Sequence, residues 1–196
     1  MPIAVRRFRF HRDTDGWSIA VQRTDQPAGH TSTDGSPESG CLWIRAVESA
    51  YQSNAWTIDA ASLADFFSIP QSARITRMRA TYRVRCSTYT GGDPTSYYSA
   101  IYGQRQDNTI VFATATTRSV SGTFAWTTHD DPWHNVDLPA TLWLRFTLDA
   151  NPKTNTSSGS TVELLFDTIE LSCEYSLTGV ITRRWSFSAD TEGWQL

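Results

Sequence analysis

Apolar and polar residues alternate along four stretches of this chain, as they do in β-strands that bury one face in a core. The alternation is clearest over 41–46, 77–86, 141–148 and 168–175. Weaker runs of the same kind cover 8–10, 17–22, 97–102, 109–117 and 123–127. Segments rich in Gly, Pro, Ser, Thr and Asp separate them at 26–40, 90–96 and 151–160, and these predict turns and loops.

A single stretch has the character of a helix. The segment 59–67 is bounded by Asp59 or Ser62 as an N-cap and by Pro70 beyond its end. Eight to ten strands with almost no helix predict an all-β fold, a two-sheet antiparallel β-sandwich with one short helix.

Charged residues follow the same alternation on two of these strands. Acidic residues occupy one face near the end of the chain, at Glu170 and Glu174. Basic residues occupy one face of an earlier strand, at Arg77, Arg79, Arg83 and Arg85. Opposite charges that face each other across a sheet stabilise it, so we predict that the two strands are antiparallel neighbours. A basic patch that binds an anionic polymer is the alternative interpretation.

Composition narrows the range of functions. The 196 residues carry a net charge of −3, which argues against general nucleic-acid binding. No apolar run is long enough to span a bilayer, and residues 1–7 lack the apolar stretch of a secretion signal. The three cysteines, Cys41, Cys86 and Cys173, allow at most one disulfide. Cys86 with Cys173 is the candidate pair, and buried thiols are favoured over it.

The beginning of the chain is repeated near its end. Residues 6–17 align with 183–194 at a constant offset of 177, and seven of the twelve positions are identical. A fixed offset of about one domain length is typical of modular proteins. We therefore expect one β-sandwich module over residues 1–178, followed over 179–196 by a joint and the first strand of a second, incomplete copy.

The repeated segment contains large apolar residues that an isolated strand cannot bury. These are Trp185, Phe187 and Trp194. The sequence predicts that this strand docks on its own module or adds to the sheet of a neighbouring module or subunit.

Two strands share a motif in which Trp and Arg point away from an apolar face. Leu42-Trp43-Ile44-Arg45 and Leu142-Trp143-Leu144-Arg145 both follow it. A flat ring beside a guanidinium suits the apolar face and the hydroxyls of a sugar, which makes Trp43, Arg45, Trp143 and Arg145 a candidate glycan or partner platform. Such pairs also cover sheets, and they occur at protein interfaces.

No catalytic motif is present. The chain has no phosphate-binding glycine loop, nucleophile elbow or His-Glu-x-x-His helix. The cluster of potential ligands over 129–134 has no metal-site spacing and is expected to be a polar loop. Glu48 and Asp137 are the only acids we would test for glycoside hydrolysis, so we expect no enzyme.

The order of elements resembles the jelly-roll carbohydrate-binding modules of galactose-binding-like fold, which also occur in phage tail and capsid-decorating proteins. The resemblance is carried by Phe8-x-Phe10, by the loop that ends in Gly16-Trp17, by 39–43 and by the late strand over 162–171. It implies a jelly-roll sandwich over residues 6–175. It also implies a structural calcium ion that ties Asp13 or Asp15 in the first loop to Asp167 in the last strand. A turn closed by Asx hydrogen bonds explains Asp13 equally well.

These features together lead to two functional expectations. The first is a non-catalytic structural and adhesive module of a phage virion, in a tail fibre, baseplate or capsid decoration, with copies of itself or other virion subunits as partners. It would work on a virion or extracellular surface without membrane insertion. The alternative is a glycan-binding module of a longer secreted or cell-surface protein.

Overall fold

The computed structural model describes residues 1–20, 28–32, 40–47, 54–90, 95–120, 122–153 and 161–177. Within them the chain forms twelve strands and one short helix. In chain order these are β1 (Ile3–Phe8), β2 (Ser18–Ile19), β3 (Ala28–Thr31), β4 (Cys41–Val47), β5 (Asn54–Ala60), α1 (Leu63–Phe67), β6 (Ala73–Thr90), β7 (Thr95–Gln104), β8 (Ile110–Val120), β9 (Phe124–Asp130), β10 (His134–Pro139), β11 (Leu144–Lys153) and β12 (Thr161–Leu177). Two antiparallel sheets confirm the predicted jelly-roll sandwich.

The seven-stranded sheet is organised around β12. On one side β12 pairs with β6 along its whole length. On the other side β1 pairs with its second half and β4 with its first half, so β1 and β4 lie end to end. β3 extends the sheet beyond β4, while β9 and β10 share the far edge of β6. The last strand is therefore the central template of this sheet.

The second sheet has five strands in the order β2-β5-β11-β7-β8. Apolar side chains from both sheets and from the first loop fill the space between them, including Phe10, Trp17, Phe146 and Phe166. One polar contact crosses this core, where Tyr82 Oη lies 2.7 Å from Ser99 Oγ. Because both groups are buried and hydrogen-bonded, the contact fixes β6 against β7 without leaving a polar atom unpaired.

The predicted helix is shorter than expected at its start. Ser62, not Asp59, is the N-cap, and its hydroxyl accepts hydrogen bonds from the amides of Ala64 and Asp65. The helix ends at Ser68, which adopts a left-handed conformation with φ of 55°. Asp59 instead belongs to β5, because the segment before Ser62 pairs in register with β11.

Three strands were not predicted from the alternation pattern. β3 lies within 26–40, which we expected to be a loop. β5 overlaps the expected helix, and β10 begins inside the polar cluster over 129–134. β5 and β10 pair with strands distant in sequence, and β3 pairs with the next strand, β4, so their conformation depends on partners that local composition does not reveal.

The predicted pairing of the arginine-bearing and glutamate-bearing strands is confirmed. β6 and β12 are antiparallel neighbours, and Arg77 Nε donates to Glu174 Oε2 at 2.5 Å. Glu170 forms its ion pair with Arg7 of β1 instead, at 2.6 Å. The ladder is thus shared between the strands on both sides of β12.

A β-bulge interrupts β12 in its middle. Phe166 pairs with Val84 and Ile169 pairs with Tyr82, so two residues of β12, Asp167 and Thr168, lie opposite a single residue of β6. β4 pairs no further than Phe166, and β1 begins to pair at Ile169. The bulge therefore coincides with the junction between β1 and β4.

Cys41, Cys86 and Cys173 are buried thiols rather than disulfide partners. Burial raises the pKa of Cys86 to about 11 and that of Cys173 to about 12. In the described ranges no helix has the length and apolar character needed to cross a bilayer.

Candidate functional site

Trp43 and Arg45 lie on the outward face of the seven-stranded sheet. Leu42 and Ile44, with which they alternate, are fully buried in the core. The Trp43 ring lies so close to Gly29 of β3 that a Cβ atom there would be 2.6 Å from Trp43 Cζ2. The glycine therefore lets the indole lie flat against the sheet.

The guanidinium of Arg45 is held next to that ring. Its carbon lies 5.5 Å from the centre of the Trp43 ring, and its Nε donates to Glu163 Oε2 at 2.8 Å. Glu163 also accepts a hydrogen bond from Ser87 at 2.6 Å. Ring, cation and carboxylate thus form a pre-organised polar and aromatic unit.

Trp143 and Arg145 form a similar unit on the five-stranded sheet. The guanidinium carbon of Arg145 lies 5.5 Å from the Trp143 ring centre, and the group binds both carboxylate oxygens of Asp59 at 2.7 and 2.9 Å. The hydrogen bond to Asp59 raises the pKa of Arg145 above its ordinary value. Like the first unit, it combines an indole with a fixed guanidinium.

The structure does not bring these two units together. β4 belongs to the seven-stranded sheet and β11 to the five-stranded sheet, and both motifs point away from the shared core. The four residues proposed as one platform therefore belong to two separate surfaces on opposite sides of the sandwich.

Two further tryptophans, which the sequence analysis did not single out, lie on the outward face of the seven-stranded sheet. Trp133 lies under Arg79, at 4.9 Å from the guanidinium carbon to the ring centre. Trp126 of β9 lies under Arg83 and Arg85, at 5.4 and 5.6 Å. The arginine row of β6 is thus stacked on tryptophans at one edge and ion-paired to β12 on the other.

A half-open cavity of about 320 Å³ occurs on this face at the β12 bulge. Ionisable side chains dominate its lining, namely Arg7, Arg9, His11, Arg83, Asp167 and Glu170. Thr81, Thr128 and Thr168 add hydroxyl groups. The bulge turns Asp167 and Thr168 toward the same opening, and we name this site the bulge cavity.

Two ion pairs fix four of the charged groups in the bulge cavity. Arg83 lies 3.2 Å from Asp167, whose side chain is only 2% exposed. Arg7 binds Glu170 through both Nε and a terminal nitrogen, at 3.0 and 2.6 Å. Arg83 also stacks on Trp126, so a tryptophan is connected directly to the cavity wall.

A shift in the apolar alternation is the sequence signal for this bulge. Val162, Leu164 and Phe166 point into the core at even positions, whereas Ile169, Leu171 and Cys173 do so at odd positions. One extra residue in the strand is the simplest cause of such a change.

The residues proposed for a calcium site are also separated. Asp15 Oδ2 accepts the amides of Arg9 and Phe10 at 2.7 and 3.1 Å, and Asp13 Oδ1 accepts the amide of Asp15 at 2.8 Å. Asp167 lies in the bulge cavity against Arg83. No group of three acidic, histidine or cysteine side chains in the described segments could hold a metal ion. The two loop carboxylates therefore act as turn-closing acceptors, and this set does not fit calcium.

The third group of predicted residues, Trp185, Phe187 and Trp194, lies outside the described residues. Their counterparts in the first copy are Phe8, Phe10 and Trp17, which are at most 2% exposed. Gly16, the counterpart of Gly193, has φ of 86°. The first copy of the repeated segment therefore contributes directly to the core.

Comparisons with known proteins identify the fold. A scan of protein-family models and a search of curated proteins both find no match. Among solved structures, the C-terminal family 22 carbohydrate-binding module of a Clostridium thermocellum xylanase is 14% identical with a TM-score of 0.51, covering 90% of this chain and 94% of that one. The family 11 carbohydrate-binding module of Clostridium thermocellum is 8% identical with a TM-score of 0.49, covering 87% and 96%.

Larger chains match over part of their length. The enzymatically active domain of a bacteriophage CBA120 tailspike protein is 11% identical with a TM-score of 0.42, and the match covers 79% of this chain and 19% of that one. This chain also spans 23% of the length of an α-L-arabinofuranosidase. At 14% identity the likeness to the family 22 module shows the jelly-roll fold alone, and function has to be argued from the site.

Proposed function

We propose that this chain is a non-catalytic glycan-binding module. The observation that carries the proposal is the bulge cavity, in which planar charged groups and hydroxyls surround an opening beside an arginine-stacked tryptophan. Its volume lies at the lower end of the range for small-ligand sites. The family 22 carbohydrate-binding module with the same fold makes the proposal consistent with the architecture.

The chemistry of the cavity matches the needs of a sugar. A pyranose ring presents an apolar C–H surface, which suits the face of Trp126, and several hydroxyls, which both donate and accept hydrogen bonds. Ion-paired Arg83 and Asp167 offer donors and acceptors in fixed positions, so little side-chain entropy is lost on binding. Trp43 and Arg45 lie on the same face and extend the candidate surface along β4.

Binding without catalysis is proposed because of how the carboxylates are paired. Glycoside hydrolysis requires one carboxyl group that holds a proton for the leaving group. Asp167 and Glu170 are each committed as acceptors to a guanidinium, that of Arg83 at 3.2 Å and that of Arg7 at 2.6 Å. Both acids are therefore suited to accept hydrogen bonds from hydroxyls.

A glycan array followed by titration calorimetry tests this proposal. Trp126→Ala is expected to weaken binding of the best glycan about tenfold, which corresponds to the loss of about 1.4 kcal/mol of aromatic contact energy. Trp143→Ala is the matched control on the other sheet and should leave binding unchanged. Loss of binding in Trp143→Ala alone would move the site to the five-stranded sheet, and an array without any hit would remove the proposal.

The repeated segment favours a second candidate function, a structural and adhesive module of a phage virion built from tandem jelly rolls. In the first copy this segment supplies β1 and three core aromatics. We propose that 179–196 is a joint and the first strand of a second copy, and that Trp185, Phe187 and Trp194 dock on a neighbouring copy or another scaffold subunit. Such a module would work on a virion or another extracellular surface, where glycan binding would serve adhesion.

Light scattering on a chain that ends at Leu177 tests this second candidate. If strand donation by the repeated segment links subunits, the full chain forms larger assemblies and the shortened chain remains monomeric. Equal assembly of both chains removes strand donation as the mechanism. The glycan experiment is independent of this result.

A further inference from the structure

The charge of the bulge cavity is opposite to that of the whole protein. Three guanidinium groups and two carboxylates line it, so it has an excess of one positive charge when His11 is counted as neutral. The complete chain has a net charge of −3. A positive opening on a negative protein concentrates anions locally and disfavours their binding elsewhere on the surface.

The excess charge can be assigned to Arg9. Arg7 and Arg83 are committed to Glu170 and Asp167. The backbone amide of Arg9 donates to Asp15, but within the described ranges its guanidinium makes no hydrogen bond or ion pair. Arg9 therefore lines the cavity with its donors available to a ligand.

We propose that the glycan recognised by the bulge cavity carries a negatively charged group, a carboxylate or a sulfate ester, and that Arg9 binds it. This inference rests on the proposed glycan-binding function and names the chemical class of its ligand. A guanidinium presents its donors in a planar fork that matches two oxygens of such a group. The paired acids Asp167 and Glu170 then accept hydrogen bonds from the ring hydroxyls, while one cation neutralises one anion.

The position of Arg9 suits this role. It follows directly after β1, whose last residue Phe8 is anchored in the core and pairs with Ile169 at the edge of the bulge. The hydrogen bonds that the amides of Arg9 and Phe10 donate to the Asp15 carboxylate fix the backbone at this point. The side chain is thus positioned by the backbone alone, and its replacement should leave the fold intact.

Calorimetry with paired ligands tests the inference. The probes are tetramers of galacturonate, glucuronate and mannuronate, each beside its carboxyl-reduced neutral form, and sulfated beside desulfated carrageenan oligosaccharides. We expect at least one charged probe to bind about tenfold more tightly than its neutral form, with a difference that shrinks at high salt. Comparison of the uronate probes with the sulfated probes identifies which anionic group the cavity binds.

Two arginine variants separate a specific contact from a general charge effect. Arg9→Gln should abolish the preference for the charged probe and retain binding of the neutral one. Arg12→Gln removes the same charge three residues away, outside the cavity lining, and should keep the preference. Circular dichroism confirms that both variants fold.

The outcomes distinguish this inference from the function on which it rests. Equal binding of charged and neutral probes, or equal effects of the two variants, overturns the role of Arg9 while glycan binding stands. If neither these probes nor a general glycan array gives any binding, the glycan-binding function fails and the inference fails with it.

Discussion

The outward faces of the two sheets follow the same strand alternation but present different chemistry. On the seven-stranded sheet, arginines of β6 face acids of β12, and tryptophans cover the edge. On the five-stranded sheet the corresponding positions hold Thr57, Thr147 and Tyr102, with Arg145 and Asp59 as an isolated ion pair. We call these surfaces the charged face and the hydroxyl face.

The acids of β12 on the charged face are more deeply buried than the paired acid of the hydroxyl face. On the charged face the side chains of Glu163, Asp167 and Glu174 are 13%, 2% and 7% exposed, whereas Asp59 on the hydroxyl face is 45% exposed. Coulomb attraction is stronger and screening weaker where water is excluded. The same Arg–acid pairing therefore has a structural role along β12 and a minor energetic role at the exposed Asp59.

Replacing the most buried of these acids should have the largest effect. Asp167→Ala leaves Arg83 without its partner at the bulge, and we expect a loss of about 3 kcal/mol in the free energy of unfolding. Asp59→Ala on the hydroxyl face is the matched control and should cost less than about 1 kcal/mol. Urea denaturation of both variants makes the comparison, and equal losses would contradict the assigned difference between the faces.

A smaller effect is expected where Trp43 lies against the sheet. Gly29→Ala places a methyl group within 2.6 Å of the indole, so the ring must move, at a cost of about 1–2 kcal/mol. Tryptophan fluorescence should shift as the ring becomes more exposed. Gly122→Ala, where an added Cβ meets no atom within 4 Å, should change neither property.

Alkaline pH should lower the free energy of unfolding through the buried thiols, all three of which belong to the seven-stranded sheet. The pKa values of Cys86 and Cys173 are raised by burial from 9.0 to about 11 and about 12. Unfolded thiols therefore lose protons above pH 9 while folded ones keep them, and stability falls as pH rises from about 9 to 11. Urea midpoints at pH 8 and pH 10 measure the fall, which should be smaller in a variant with Cys86→Ala and Cys173→Ala.

The smallest effect is expected at the rim of the charged face. Arg74 binds both oxygens of Asp137, one of them at 2.6 Å, and this hydrogen bond lowers the pKa of the Asp137 carboxyl. Because both side chains are exposed to solvent, Asp137→Asn should leave the urea midpoint unchanged within error. A clear loss would show that exposed pairs on this face act as a network.

Much of the fold could be predicted from the sequence because the long strands alternate over most of their length. The neighbouring positions of β6 and β12 followed from the complementary charges at Arg77 and Glu174. The partner of Glu170 could not be predicted, because Arg7 comes from β1 and reaches β12 only through the sheet topology. Strand β5 was hidden because Asp59 has the character of a helix cap as well as of an outward strand position.

The candidate site was harder to predict than the fold. Trp43 and Trp143 share a local motif, but whether they share a surface depends on which sheet each strand joins. Trp126 meets Arg83 only through the pairing of β9 with β6, which includes a register shift between Val84 and Cys86. The change of alternation between Phe166 and Ile169 was the one local signal of the bulge. It can be recognised in the sequence without knowing which strands pair.

The end-to-end arrangement of β1 and β4 has a mechanical consequence. The amide of Tyr175 donates to the carbonyl of Pro2 at 3.1 Å, so Met1 and Leu177 lie at the same pole of the sheet. The bulge cavity lies at the other end of β1, roughly 20 Å away for six extended residues. Tension applied between Met1 and Leu177 would peel β1 from β12 one hydrogen-bonded rung at a time, toward the cavity. Single-molecule pulling through handles attached at these two positions should give gradual opening at low force, and an abrupt rupture at high force would contradict this zipper geometry.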